Sequence, residues 1–334
     1  MGYKFTIGTR SSKLALWQAN FVKSELEQLI PDLEISLKEI KTKGDHITDV
    51  ALSKIGGKGL FTKEIEDALL ANEIDFAIHS LKDLPTKLPQ GLKIGAVLKR
   101  EKPHDVLIVN HVIARRLEES TKQSQKCELG GEIASSLSFL AMTSGSRIGT
   151  SSLRRISQLK ALRDDLEYLD LRGNLDTRIR KLEEGQFDAI VLAYAGVKRL
   201  GFENKIAENF SPKNILPAVG QGAMAIEIRE NDTAIEKIIA KLNHEESYLA
   251  SIAERAFLEA LQGGCQVPIG AYSEIGRDKI TLHGIIVSLD GKKFVRDEIS
   301  ANLVKSECLN LGRELGERLL KSGGKEILKQ IMSV

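Results

Sequence analysis

The octapeptide Gly263-Gly264-Cys265-Gln266-Val267-Pro268-Ile269-Gly270 sets a thiol between two glycines and a proline, just after an amphipathic run from Tyr248 to Leu261. Glycine opens backbone conformations closed to other residues and lets a second group approach closely, while proline stiffens the exit. Such a loop suits a cysteine that anchors something covalently. It also suits a small buried hydrophobe, the ordinary fate of a free cysteine, and the octapeptide alone leaves both readings open.

A second set of residues gathers positive charge at predicted strand-to-helix turns. Arg10-Ser-Ser12-Lys13, Thr150-Ser-Ser152-Leu-Arg154-Arg155 and Arg172-Gly173-Asn174, followed by Arg178, each combine a capping residue with arginine. Ser152 and Asn174 are good N-caps, yet a cation near a helix N-terminus opposes the macrodipole, which favours anions there by ~0.3–1 kcal/mol. Local rules are broken most often at functional sites, and backbone N–H groups beside arginine forks bind carboxylate or phosphate. With Lys54, Lys58, Lys82, Arg147 and Arg199 added, the pattern describes a cleft for a polyanion. Any one of these cations, taken singly, also reads as a solvated surface charge.

Asp83, within His79-Ser80-Leu81-Lys82-Asp83-Leu84-Pro85, is the acid among them. It is either a carboxylate at the cleft floor, for proton transfer or for steadying a developing positive charge, or an ion-pair partner or cap before Pro85. His79 reads as a packed or hydrogen-bonded histidine.

The composition narrows the classes. With 48 basic and 46 acidic residues the net charge is +2, which argues against a broad nucleic-acid surface. The three cysteines, Cys127, Cys265 and Cys308, include no Cys-x-x-Cys pair, so neither a disulfide framework nor a metal site is expected. No apolar run approaches the ~20 residues of a membrane span, and Met1 to Thr9 lacks a signal-type apolar region. These features predict a cytoplasmic protein with no membrane partner. Lys54-Ile-Gly-Gly-Lys58-Gly59 is not a P-loop, because the Gly-x4-Gly-Lys-Ser/Thr spacing is missing.

The elements that must position these residues alternate strand and helix. Strands are predicted at Phe5–Thr9, Leu33–Ile40, Asp75–Ile78, Leu92–Leu98 and Asp105–Val109, with helices from Leu14 and from Thr62. After a long surface insertion, 111–146, partly helical at best, the βαβ rhythm returns. Strands are expected at Ile148–Thr150, Leu166–Leu171 and Ala189–Ala193, with helices from Leu153 and Leu175. A strand at Ala223–Ile228 re-enters the first domain, and strands at Ile280–Ser288 and Lys293–Glu298 with helices from Ser306 and Lys325 form a third. The expected division is 1–99 with 223–240, 104–217, and 245–334. Lys41 to Gly59 is expected to be a mobile loop, and Asp83 falls at the carboxyl end of its strand, where open α/β sheets place ligands.

Several of these motifs are specific enough to name. Leu14-Ala-Leu-Trp-Gln-Ala19 after Arg10, Lys54-Ile-Gly-Gly-Lys-Gly-Leu-Phe61, His79 to Pro85, Gly149-Thr-Ser-Ser-Leu-Arg-Arg155, Leu171-Arg-Gly-Asn174, Leu216-Pro-Ala-Val-Gly-Gln-Gly222 and the Cys265 octapeptide resemble, in order, the porphobilinogen deaminase (hydroxymethylbilane synthase) family. The segment 111–146 departs from the usual bacterial pattern by being longer. The resemblance implies two periplasmic-binding-protein-like doubly wound α/β domains and a small α+β C-terminal domain. It implies a dipyrromethane cofactor joined to Cys265 by a thioether, on which four porphobilinogen units are added stepwise with loss of ammonia before hydrolysis releases hydroxymethylbilane.

By the same resemblance Asp83 is catalytic, protonating the leaving amine and holding the pyrrole nitrogens. Ser80, Lys82, Ser152, Arg154, Arg155, Arg172 and Gly173 hold the cofactor. Arg10, Ser12, Arg147, Arg178, Arg199 and Gln221 hold porphobilinogen and the growing polypyrrole chain, and Lys54 and Lys58 lie on an active-site loop. A monomer with no nucleic-acid partner is implied. A non-catalytic anion receptor would share the sheets and the basic turns but has no use for the thiol. A nucleic-acid binder would show salt-dependent DNA binding.

Overall fold

The computed structural model describes residues 3–46, 59–110, 137–263 and 267–332. In the first sheet β1 (Tyr3–Thr9), β2 (Leu33–Glu39) and β3 (Phe76–Ser80) run parallel. They are linked by α1 (Lys13–Leu29) and, after the short α2 (Lys43–His46), by α3 (Lys63–Leu70). β4 (Leu92–Val97) follows, and residues 98–104 carry the chain into a second sheet at β5 (Asp105–Val109). There α4 (Leu137–Leu140), β6 (Arg147–Gly149), α5 (Leu153–Leu162), β7 (Glu167–Leu169), α6 (Leu175–Glu183), β8 (Ala189–Ala193), α7 (Tyr194–Arg199) and β9 (Ile206–Asn209) repeat the wiring. Residues 210–223 return the chain to the first sheet, where β10 (Met224–Arg229) lies antiparallel between β3 and β4.

The spatial orders are β2-β1-β3-β10-β4 and β7-β6-β8-β5-β9. In each sheet the strand received from the other, β10 or β5, opposes both of its neighbours. Both sheets are doubly wound, and their central strands are buried on both faces. Phe76, Ala77 and Ile78 in β3, and Ile190, Val191 and Leu192 in β8, are all at most 3% exposed. That burial explains the continuous apolar runs, since helices cover both sides. After α8 (Thr233–Ile239) and α9 (Glu245–Ala260), the antiparallel β11 (Ile269–Ile275), β12 (Lys279–Val287) and β13 (Phe294–Asn302) pack with α10 (Lys305–Leu319) and α11 (Lys325–Met332) around Phe257, Leu282, Leu315 and Cys308. This is the small α+β unit, and with the two doubly wound sheets it completes the expected fold class.

Two expectations change. The end of the insertion is not surface: Phe139 and Met142 are buried with Leu107, Ile148 and Phe210, and Phe139 meets Phe210 edge to face with ring centroids 5.6 Å apart. An apolar Leu-Ser-Phe-Leu stretch beside a polar, serine-rich run gave too short a period to read as core. β11 also went unread, because Gly270 and the adjacent cysteine loop interrupt its alternation. Gly270 is required there, since an added Cβ would come within 2.9 Å of the Leu216 carbonyl oxygen.

Candidate active site

Doubly wound sheets bind ligands beyond the carboxyl ends of their strands, where strand order reverses. In the first sheet that place lies between β1 and β3, so Arg10 follows β1 and Ser80 ends β3, with the 3-10 turn Leu81–Asp83 next. In the second sheet it lies between β6 and β8, at Thr150 to Ser152 before α5. The chain segment Leu171 to Gly173, between β7 and α6, borders it. The two ends meet. Lys13 Nζ reaches Asp176 Oδ2 at 3.1 Å, and the Arg199 guanidinium of the second sheet sits 5.9 Å from the ring centroid of Trp17 in the first.

At the junction Asp83 is exposed, and its charge acts on both Lys82 and Arg178. Burial pushes the Lys82 ammonium down, with Arg155 and Arg178 adding to the effect and Asp83 and Asp105 opposing it. Burial likewise pushes Arg178 down to about 10, with Arg155 and Arg172 repelling it and Asp83 opposing. Of the neighbouring acids, Asp170 is engaged by Arg172 at 3.2 Å, and Asp105 is committed to Arg154 and Arg155. The cations here crowd one another, and an added anion would relieve them.

Ser152 and Asn174 occupy the N-cap positions of α5 and α6, but neither side chain caps its helix. Backbone N–H groups at both helix starts are thus left to other acceptors. Gly173 takes φ +104°, a conformation that L side chains rarely adopt, and its carbonyl accepts from Arg178 Nε at 2.8 Å. Ser12 Oγ accepts from Ala15 N at 3.3 Å and so does cap α1. Ser80 Oγ meets Gln18 Nε2 at 3.0 Å. Arg10 stacks its guanidinium 4.4 Å from the Phe61 ring centroid, and Arg199 donates to the Gly222 carbonyl at 2.8 Å.

Other candidates lie elsewhere. Arg147 opens β6 at its amino end, away from the carboxyl ends, and is held by Asp188 at 3.1 Å and by the Gly185 carbonyl. The predicted strand Ile148–Thr150 already placed Arg147 before its amino end, so strand direction argued against this candidate. Arg154 is buried, giving Nη1 to Asp105 Oδ2 and to the Leu216 carbonyl, both at 2.8 Å. Arg155 spends Nε and Nη2 on Asp105 Oδ1 and Nη1 on the Val191 carbonyl, so it adds field to the cleft rather than open donors. Gln221 is 1% exposed and donates to Asp105 Oδ1 at 2.9 Å, an internal bond where a substrate contact was expected. Lys54, Lys58 and Cys265 lie outside the described residues.

Asp105, Gln18 and Trp17 each contact a candidate residue, and sequence reasoning gave them no role. Asp105 carried a signal, since an aspartate heading an apolar strand must be paired if it is buried. Burial alone would raise its carboxyl, but Arg154 and Arg155 hold it far below the usual range.

Residues 5–237 match the family model described as porphobilinogen deaminase, dipyromethane cofactor binding domain, and residues 248–321 match porphobilinogen deaminase, C-terminal domain. The chain belongs to the porphobilinogen deaminase family. A porphobilinogen deaminase of Carboxydothermus hydrogenoformans is 49% identical over 325 residues, covering 97% of this chain and 96% of that protein. One of Pelobacter propionicus is 46% identical over 325 residues, with coverage of 97% and 96%. Among solved structures, an ancestral arginine-binding protein bound to arginine covers 72% of this chain and 91% of its own at 12% identity. Its TM-score of 0.36 is too low to bear on function.

Members of the porphobilinogen deaminase family are transferases of tetrapyrrole biosynthesis that use dipyrromethane as cofactor, and this chain is one of them. No described helix is long and apolar enough to cross a membrane. The site fits that cofactor, because its crowded cations and two helix starts without side-chain caps suit a ligand carrying several carboxylates.

Proposed function

We propose that this chain condenses four porphobilinogen molecules head to tail with release of ammonia, on a dipyrromethane primer joined to Cys265, and releases hydroxymethylbilane by hydrolysis. The observation that carries the reading is Asp83, an exposed carboxylate at the end of β3 beside Lys82 and Arg178. When bound, dipyrromethane supplies the pyrrole to which the first unit is added.

The chain's own residues do the rest. Lys82, Arg172 and Arg178, with the backbone N–H groups starting α5 and α6, bind acetate and propionate groups. Arg10 and Arg199, each packed on an aromatic ring, orient the incoming unit. Asp83 passes a proton to the departing amine and then, as a carboxylate, faces the positive charge that develops on the pyrrole. Lys54 and Lys58, outside the described residues, are assigned to the active-site loop on the family resemblance alone.

Three domains, 1–99 with 223–240, 104–217 and 245–334, carry these parts. The division is supported by three sheets, each with its own buried core. We read the protein as a cytoplasmic monomer with no nucleic-acid or membrane partner, in keeping with a net charge of +2.

Intact-protein mass tests the assignment. The purified chain should exceed its sequence mass by a dipyrrole, and Cys265→Ser should abolish the excess while Cys127→Ser and Cys308→Ser keep it. A dipyrrole retained in Cys265→Ser would refute the attachment.

A further inference from the structure

We infer that Arg255 is a positioning residue for the reaction: it clamps the turn bearing Asp83 to the helix at whose end the Cys265 loop begins. The inference deepens the proposed function and rests on Asp83 being catalytic.

Arg255 lies on α9 and donates to three successive carbonyls, of Leu84 at 3.4 Å, Pro85 at 2.7 Å and Thr86 at 3.0 Å. These residues directly follow the 3-10 turn Leu81–Asp83. An arginine fork spanning a run of carbonyls fixes a loop more tightly than a single ammonium could, because its donors are held in one plane. The neighbouring Lys87 reaches Glu259 on the same helix at 3.4 Å. Burial pushes the Arg255 guanidinium down to about 10, while Glu227 and Glu259 favour its charge.

From below, the turn is backed by β3, where His79 Nε2 lies 2.9 Å from Glu227 Oε2 inside the sheet. The turn is also held by the returning crossover, where Leu81 N donates to the Ala223 carbonyl at 3.0 Å, while the grip from α9 connects it to the element that precedes Cys265. A carboxylate that must meet a primer tethered at that cysteine needs this connection, since a misplacement of about 1 Å costs on the order of 100-fold in rate.

The test is a double-substitution cycle read by kcat, KM, intact mass and unfolding midpoint. Arg255→Met should lower kcat by about 10- to 100-fold with KM within about two-fold and the dipyrrole still attached. In an Asp83→Glu background, where the carboxylate is already displaced, the same substitution should change kcat by less than about three-fold. Equal losses in both backgrounds, no loss in either, or a loss matching reduced dipyrrole content would overturn the clamp. Arg255→Lys keeps the charge but not the fork, and it carries the same comparison if Arg255→Met does not fold. Failure of the underlying reading shows separately, as near-normal turnover in Asp83→Asn.

Discussion

Gln221 Nε2 donates to Asp105 Oδ1 at 2.9 Å, the same oxygen that takes bonds from Arg155 Nε at 3.0 Å and Nη2 at 2.7 Å. One carboxylate thereby joins the returning crossover, the start of β5 and the first turn of α5. Nearby, Arg100 donates to the Gln221 carbonyl and pairs with Glu254 of α9 at 2.6 Å, which extends the buried network to the C-terminal unit.

Asp105→Asn should accordingly destabilise the protein by about 3–5 kcal/mol, because it leaves two buried guanidinium groups without their counter-charge. The folded carboxyl is depressed by Arg154 and Arg155 against the effect of burial. Its stabilisation is therefore complete above the unfolded value of about 4 and is lost as pH falls from there toward the folded value. Urea unfolding should show wild type and Asp105→Asn converging below about pH 4; a constant gap down to pH 2 would contradict the pairing.

Asp83 makes a different prediction, since it is exposed and its turn is held from behind. Asp83→Asn should keep the unfolding midpoint within about 1 kcal/mol of wild type while ammonia release falls by at least about 100-fold. Asp83→Glu should turn over slowly, with partly extended chains visible by intact mass. Normal ammonia release from Asp83→Asn would remove the residue from the chemistry.

Arg147 and Arg178 separate the two ends of the second sheet. Arg147→Met should leave kcat/KM unchanged and cost at most about 1 kcal/mol of stability, as a half-exposed ion pair does. Arg178→Met removes a charge-assisted contact worth about 1.5–3 kcal/mol and should lower kcat/KM by about 10- to 100-fold. Similar kinetics for the two variants would place the cleft wrongly.

Phe139 tests whether the end of the insertion is core. Phe139→Ala should cost about 3–5 kcal/mol in thermal or urea unfolding, whereas an exposed site would lose less than about 0.5 kcal/mol. Deleting residues through 146 should give an insoluble or unfolded product, because Met142 and Phe139 leave with the loop.

The alternation of strand and helix, the three strand-to-helix turns rich in cations, and the place of Asp83 at a strand's carboxyl end are legible in the residues alone. These follow from short-range periodicity and from motifs whose residues are neighbours in the chain. Ser12 and Ser152 both occupy N-cap positions, as their residue type predicts, yet only Ser12 uses its hydroxyl to cap. Which charges each arginine meets is set by long-range packing. Asp105, more than forty residues earlier than either arginine, is brought beneath Arg154, Arg155 and Gln221 by the antiparallel insertion of β5 and pairs with all three. Arg147 opens β6, and chain order alone puts it at the amino end, away from the cleft. Charge type is a local property of the sequence. Whether a charge faces a ligand or a buried partner depends on burial and long-range pairing, and these exist only once the sheets have closed.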